Sequence, residues 1–185
     1  MENKMEKNKE QEEFIKLYSF DQKTYLEIEE EMNIKRKDVQ KLYEKTREER
    51  EAIQNIRNKF KGKRKEDFND NFRDFYDWYQ SKKQKCGYCA ISQEELYSLF
   101  REDQKLPLND AIKRSSGTLE IERKDSTENS YDKKNIILAC PLCNNAKSNL
   151  IDENDWRNIF VKPMREYYKK ILGKDLEYKL ISIDV

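Results

Sequence analysis

The sequence predicts an α+β protein that is predominantly helical and carries a small module held together by four cysteines. Apolar residues recur at helical spacing from Phe14 to Ile56, which is typical of amphipathic helices. The period then changes, because residues 119–123 (LEIER) and 135–139 (NIILA) have the pattern of two short strands of a hairpin. Two C-x-x-C pairs bracket this strand region, one before it and one directly after it.

The composition limits the size and class of the protein. A chain of 185 residues forms one ordinary domain or two small ones. Charged residues make up 41% and hydrophobic residues 36%, a balance too polar for a broad apolar core. This composition suits long amphipathic helices beside a unit stapled by a metal ion.

Net charge and hydropathy say little about partners. The 38 Lys and Arg residues against 37 Asp and Glu leave a net charge of +1, so a nucleic-acid surface has to come from the distribution of charge. No apolar run reaches the ~20 residues needed to cross a bilayer. The N-terminal MENKMEKNKEQEE lacks the apolar core of a signal peptide. We therefore expect a cytoplasmic protein.

The cysteines form two pairs, Cys86 with Cys89 and Cys140 with Cys143. In a reducing compartment such pairs are metal ligands more often than disulfides. Each C-x-x-C turn can present two thiolates to one ion. Because the chain has no histidine, the four cysteines are the only complete set for a tetrahedral structural Zn²⁺. The alternative is a pair of redox dithiols, which the lack of a thioredoxin-like βαβ pattern disfavours.

The segment around the cysteine pairs resembles a known family. It runs from Cys86-Gly87-Tyr88-Cys89 through 119–125 (LEIERKD) and Asn135 to 140–147 (CPLCNNAK). Over residues 84–150 this order is similar to that of the zinc-stabilised HNH endonucleases of the ββα-metal type. The resemblance implies a Cys₄ zinc-stapled ββα-metal module and metal-dependent hydrolysis of phosphodiester bonds in DNA.

The resemblance also implies site residues. Glu122 on the first strand and Asn144 at the start of the helix would bind a catalytic divalent cation, and Asn135 would hold the loop geometry. Oxygen ligands of this kind suit Mg²⁺ or Mn²⁺. Such a cation would polarise the scissile phosphate and stabilise the leaving oxygen.

The chain departs from the family at the general base. Arg123 stands where the family has a histidine, and the chain contains none. Arginine is not deprotonated in proteins, but it can clamp a phosphate through two hydrogen bonds. The base would then be Asp125 or a water on the metal with a lowered pKa. Two alternatives stay open: a fold that has lost its chemistry and only binds DNA, and an ordinary surface ion pair for residues 122–125 (ERKD).

Residues 24–46 (TYLEIEEEMNIKRKDVQKLYEKT) fit a helix-turn-helix. Asn33 sits where the turn needs a left-handed backbone, while Glu29 departs from the pattern, which usually has a small residue there. The second helix would direct five polar side chains toward phosphates and base edges in a major groove: Lys35, Arg36, Lys37, Gln40 and Lys41. The alternative is a plain helical hairpin.

The segment 57–65 (RNKFKGKRK) holds six basic residues and no acid. It predicts a strip that contacts phosphates, with a solvated face as the alternative. The expected DNA contacts are Arg57, Lys59, Lys61, Lys63 and Arg64, together with Lys147 in the second cysteine region. Aromatic residues then recur at i, i+4, i+7, i+8 and i+11 from Phe68 to Tyr79. This spacing predicts one core-packed face of an amphipathic helix.

Two functions are consistent with these features. The first is an HNH-type DNA endonuclease, with residues 1–65 as a helix-turn-helix-like DNA-binding region and 66–185 as the zinc-containing nuclease domain with C-terminal helices. The second is a catalytically degenerate zinc-containing DNA-binding protein or regulator. The acid, the two asparagines and Lys147 favour the first function, and the missing histidine favours the second. Double-stranded DNA is the expected partner in both, and the oligomeric state, a homodimer included, stays open.

Overall fold

The computed structural model describes residues 2–99 and 117–176, with side chains from Lys9 onward. It divides the chain into two compact units, the first ending at Tyr79 and the second beginning at Gln80. The predicted class is confirmed, because the described residues form many helices and one small two-stranded sheet. No helix in the described part of the chain is both long and apolar enough to cross a membrane.

The first unit is helical. A core cluster of five buried residues joins its first three helices: Phe14, Leu17, Ile28, Val39 and Leu42. The second helix begins at a capping box, in which Thr24 and Glu27 satisfy each other's backbone N–H groups. The elements are α1 (Glu2–Ile15), a π-helical turn (Lys16–Phe20), α2 (Tyr25–Met32), α3 (Arg36–Lys45), α4 (Arg47–Arg57), α5 (Lys63–Asp67) and α6 (Phe72–Ser81).

The turn between α2 and α3 has the predicted backbone. Asn33 adopts a left-handed conformation with φ of 51°, and its N–H donates to the carbonyls of Glu29 and Glu30. Asparagine tolerates this conformation better than other non-glycine residues. Glu29, which departs from the expected small residue, is half-buried and pairs with Arg36 at 3.2 Å. An ion pair between the two helices therefore accounts for an acid at this position.

The aromatic stripe is a core, as predicted, but it is not one helix. Phe68 precedes a break at Asn69 and Asp70, whose φ values of 51° and 58° interrupt the helix before α6 begins. Phe60 lies 5.0 Å from Phe75 and 5.6 Å from Phe72, ring centre to ring centre. These contacts hold the stripe in the first unit. The first compact unit continues to Tyr79, whereas the predicted boundary follows residue 65.

The second unit contains the hairpin and the cysteines. Its elements are α7 (Gln93–Tyr97), β1 (Glu120–Arg123), β2 (Ile136–Ala139), α8 (Pro141–Lys147), α9 (Glu153–Asp155), a π-helical turn (Trp156–Phe160) and α10 (Val161–Leu172). The strands are antiparallel, with Glu122 opposite Ile137. Each strand begins one residue later than predicted. β2 leads directly into α8, so the order strand–strand–helix is formed by consecutive segments.

Candidate functional site

The four cysteines converge into one cluster. All four are buried, and their sulfur atoms lie within 4.8 Å of one another. The Sγ atoms of Cys89 and Cys140 are 3.7 Å apart. A tetrahedral site with ligand distances of about 2.3 Å has edges of about 3.8 Å, so this spacing fits a metal ion bound by four thiolates. The cluster could therefore hold one such ion.

Local structure brings the two cysteine pairs together. The turn of the first pair is closed by a hydrogen bond of 2.9 Å from the N–H of Ala90 to the carbonyl of Cys86. Gly87 lies against β2, where its N–H donates to the carbonyl of Leu138 at 2.7 Å. A Cβ at this position would collide with the side chain of Ile137, so the close approach requires glycine.

The second pair opens α8. Cys140 is the N-cap of this helix, and Pro141 occupies its first turn, where a missing N–H costs nothing. The N–H of Cys143 points at the sulfur of Cys140 from 3.4 Å. Leu138, which accepts the hydrogen bond from Gly87, lies on β2. The same strand leads directly into the segment that carries Cys140 and Cys143.

Sequence reasoning missed a further residue of this cluster. The hydroxyl of Tyr168, on α10, donates to the sulfur of Cys140 at 3.3 Å. Tyr168 is fully buried, and its burial is the main cause that raises the pKa of its hydroxyl. The nearby sulfurs raise this pKa further, so the hydroxyl stays protonated and can donate. The two residues are 28 positions apart, and no local pattern in the sequence connects them.

Glu122 lies on the face of the hairpin that meets α8. Its side chain is 13% exposed, and one carboxylate oxygen is 3.4 Å from the ammonium of Lys147. Burial raises the pKa of Glu122, while the positive charge of Lys147 opposes that shift. The carboxylate is therefore held beside the helix that carries Asn144.

A lysine has to lie on the surface to contact DNA, and Lys147 does not. Its side chain is fully buried, and its ammonium is also 3.3 Å from the carbonyl of Arg123 and 3.4 Å from the hydroxyl of Ser126. A buried charge is stable only when it is paired and hydrogen-bonded, and these three oxygens meet that need. The expectation that Lys147 contacts DNA is thus corrected: it supports Glu122 from inside.

Asn144 lies on α8 one turn before Lys147 and is half-buried. Residues three apart on a helix share a face, so Asn144 lies on the side of α8 that turns toward β1. Its side-chain amide makes no hydrogen bond to any residue in the described ranges 2–99 and 117–176. The amide oxygen therefore has no partner there to displace before it could bind a cation.

Asn135 pins the loop that joins the two strands. Its amide nitrogen donates to the carbonyls of Asp125 (3.0 Å) and Ser130 (2.9 Å), and its oxygen accepts the N–H of Asp125 at 2.8 Å. The residue is 7% exposed. All three bonds cross the loop, so Asn135 joins its two ends.

Arg123 and Asp125 are engaged within the same loop. The guanidinium of Arg123 donates to the side chain of Asn129 at 3.0 Å and lies over the ring of Tyr131. Successive residues of a strand point to opposite faces, so Arg123 and Glu122 diverge. The carboxylate of Asp125 is exposed and accepts two bonds from Thr127, which lower its pKa. A lowered pKa makes Asp125 a weak base near neutral pH.

The predicted DNA contacts of the first unit differ in their availability. All five polar residues of the second helix region are exposed: Lys35, Arg36, Lys37, Gln40 and Lys41. Arg36 is paired with Glu29, and Lys41 with Asp38 at 3.1 Å. Lys35 and Lys37 have no ion pair within the described part of the chain. Among these five residues, Lys35 and Lys37 are the cations most accessible to a phosphate.

The basic run is less free than its sequence suggests. Lys61 and Lys63 are exposed, but Lys63 pairs with Asp67 at 3.1 Å. Lys59 and Arg64 are half-buried, and the guanidinium of Arg64 donates to the carbonyl of Lys59 at 2.9 Å. Arg57 is also half-buried and bonds to carbonyls of its own unit. The run is therefore not a uniformly solvated strip.

Comparison with known proteins supports the family resemblance. Residues 121–150 match the family model of the HNH endonucleases. The matched segment holds most of β1 and all of β2 and α8, so the resemblance inferred from the sequence is confirmed for this segment.

The chain is similar to a solved structure of the rare-cutting HNH restriction endonuclease PacI, with 28% sequence identity and a TM-score of 0.40. PacI is described as exhibiting an extraordinary mechanism of DNA perturbation. The similarity covers 52% of this chain and 63%, less than two thirds, of that one. No curated protein matches the chain at a significant level.

Proposed function

We propose that the chain is an HNH-type endonuclease that hydrolyses phosphodiester bonds of double-stranded DNA. The observation that carries this proposal is the family match over residues 121–150, which coincides with the strand–strand–helix unit formed by β1, β2 and α8. In that unit Glu122 and the face of α8 that bears Asn144 are neighbours, because Lys147 of the same face contacts Glu122.

Two kinds of metal site fit the donors present. The four buried thiols suit a structural Zn²⁺, since tetrahedral sulfur sets without an open position favour zinc in a structural role. The carboxylate of Glu122 and the amide oxygen of Asn144 suit Mg²⁺ or Mn²⁺, which prefer oxygen. When bound, such a cation supplies positive charge to the scissile phosphate and the leaving oxygen.

Two of the surrounding residues support this site without touching a reacting atom, and two others would contact the substrate or the water. Lys147 orients Glu122, and Asn135 joins the ends of the β1–β2 loop. Arg123 would bind a phosphate of the substrate from that loop, as arginine does in bidentate form. Asp125 is the protein carboxylate proposed as proton acceptor, and its lowered pKa predicts slow proton transfer.

The first unit would bind the duplex. Lys35, Arg36, Lys37, Gln40 and Lys41 lie on or next to α3, whose opposite side packs in the core through Val39 and Leu42. A helix presented in this way fits a major groove, and its cations fit phosphates. The free lysines Lys35 and Lys37 would contribute most.

The test is cleavage of supercoiled plasmid by the purified full-length chain with Mg²⁺ or Mn²⁺, and with EDTA as the control. We expect nicked or linear product only with the divalent cation. Glu122→Gln and Asn144→Ala should abolish cleavage and leave the zinc content unchanged, because the two metals have different ligands. Full-rate cleavage by both variants would overturn the assignment of the cation site.

A second function is supported by one observation. The chain has no histidine, and the guanidinium at the position of the family's base is engaged with Asn129 and Tyr131. A zinc-containing DNA-binding protein that has lost cleavage would keep these features. Duplex binding without product in any divalent cation would establish this second function and exclude the first.

A further inference from the structure

A cavity of about 460 Å³ is lined by residues of the first unit alone. Its walls include the rings of Phe20 and Phe72 and the side chains of Arg57, Lys65 and Arg73. Sites for small ligands commonly have this size and combine aromatic walls with a few polar groups. The side chains that line the cavity therefore indicate which class of ligand it can bind.

Arg57 is one of three cations that line this cavity. One terminal nitrogen donates to the carbonyls of Ser19 and Phe20, and the guanidinium lies 3.7 Å from the centre of the Phe72 ring. Its Nε is buried and has no hydrogen-bond partner. Burial lowers the pKa of Arg57, which reflects the cost of keeping this charge away from water.

Charge pairing singles out Arg57 from the other cations of the lining. Lys65 is paired with Asp70 at 3.0 Å, and Arg73 with Asp77 at 3.3 Å. Arg57 has no carboxylate partner among the described residues 2–99 and 117–176. Charges removed from water are normally paired with an opposite charge. The cavity is lined by more cations than carboxylates, so the unpaired guanidinium of Arg57 favours the binding of an anionic ligand there.

A second cavity of the first unit provides the comparison. It has the same volume of about 460 Å³ and contains Arg50, which donates to the carbonyl of Tyr43 and lies 3.4 Å from the centre of that ring. The two arginines are thus held in similar ways. The second cavity, however, contains Glu44 and Glu51 beside its two arginines, so its charges balance.

We propose that the Arg57 cavity binds a phosphate group, with the guanidinium of Arg57 as its main donor. Guanidinium groups form short, charge-assisted bonds to phosphate oxygens. The source is the backbone of the duplex or the phosphate of a free nucleotide. In the first case the inference rests on the DNA binding proposed above, though not on cleavage.

The test measures binding of a labelled 20-base-pair duplex by the full chain over a range of salt concentrations. The main variant is Asn71→Asp, which adds a negative charge to the cavity lining. Asn71 caps α6 by accepting the N–H of Asp74 at 3.1 Å, and aspartate caps equally well, so the fold is preserved. Arg57→Gln removes the donor directly, and Arg50→Gln is its matched control.

We expect Asn71→Asp and Arg57→Gln to weaken duplex binding about tenfold and to reduce the slope of log K against log salt by about one, the value for one phosphate contact. Arg50→Gln should leave the slope unchanged. An unchanged slope in Asn71→Asp would overturn the DNA form of the proposal, as would an equal loss in Arg50→Gln.

Calorimetry with deoxyadenosine monophosphate and with inorganic phosphate tests the other source. Saturable binding by the wild type that Asn71→Asp abolishes would identify a nucleotide or phosphate site. This arm does not need DNA binding, so it separates failure of the cavity from failure of the proposed function. Absence of an effect in both arms would reject the phosphate site.

Discussion

The ammonium of Lys147 lies 3.4 Å from a carboxylate oxygen of Glu122, with the lysine side chain fully buried and the glutamate 13% exposed. A buried pair contributes little over an apolar pair of the same shape, but removing one partner leaves an unpaired charge inside the protein. This pair therefore links the stability of the strand–strand–helix unit to the position of Glu122.

Lys147→Met should consequently lower the free energy of unfolding by about 3 kcal/mol and abolish cleavage. The double variant Glu122→Gln with Lys147→Met removes both charges, so it should recover much of the stability without recovering activity. Chemical denaturation and the plasmid assay measure the two effects. Additive losses of stability in the double variant would mean that the two side chains do not interact.

Tyr168→Phe should weaken the retention of the zinc ion proposed for the cysteine cluster. The hydroxyl donates to the sulfur of Cys140, and loss of such a bond to a metal ligand typically costs about tenfold or more in affinity. Release of zinc to a colorimetric chelator should therefore be faster than in the wild type. Tyr167→Phe is the matched control, because Tyr167 is the neighbouring residue and its side chain is 38% exposed. Equal release rates for the two variants would remove Tyr168 from the metal site.

Arg123→His should raise the rate of plasmid cleavage. Histidine has a pKa near ~6.5 and restores a proton acceptor at the position where the family has one, a gain that can reach about 100-fold. Arg123→Gln is the control, since it removes the guanidinium without adding a base. A lower rate in both variants would show that the substrate-phosphate contact proposed for Arg123 contributes more to cleavage than an added base does.

Lys35→Ala combined with Lys37→Ala should weaken duplex binding about tenfold near 0.1 M salt and reduce the salt slope by about two. Arg36 is left intact because it pairs with Glu29 and lies over Tyr25, so its loss would also disturb the fold. Lys9→Ala with Lys16→Ala removes the same charge from α1 and the π-helical turn that follows it, as a control. Equal effects of the two double variants in a gel-shift series would show that α3 has no special part in binding.

Features that depend on neighbours in sequence were predictable. Asn33 turns the chain between α2 and α3 because its side chain tolerates a left-handed backbone. The two strands followed from the change of period at residues 119–123 and 135–139, and the cysteine cluster from the C-x-x-C spacing. The break before α6 was missed although Asn69 and Asp70 also tolerate a left-handed backbone, because the aromatic spacing continues through them as if the helix were unbroken.

The sequence by itself determined the helical class, the hairpin, the two cysteine pairs and the HNH segment, since each is encoded in residues close together along the chain. Only the tertiary structure decided that Phe60 joins the aromatic core, that Tyr168 reaches Cys140 and that Lys147 is buried against Glu122. A lysine in a helix reads as a surface cation until the packing of α8 on β1 is known. Burial and pairing depend on which distant segments meet, and periodicity along one segment carries no information about that.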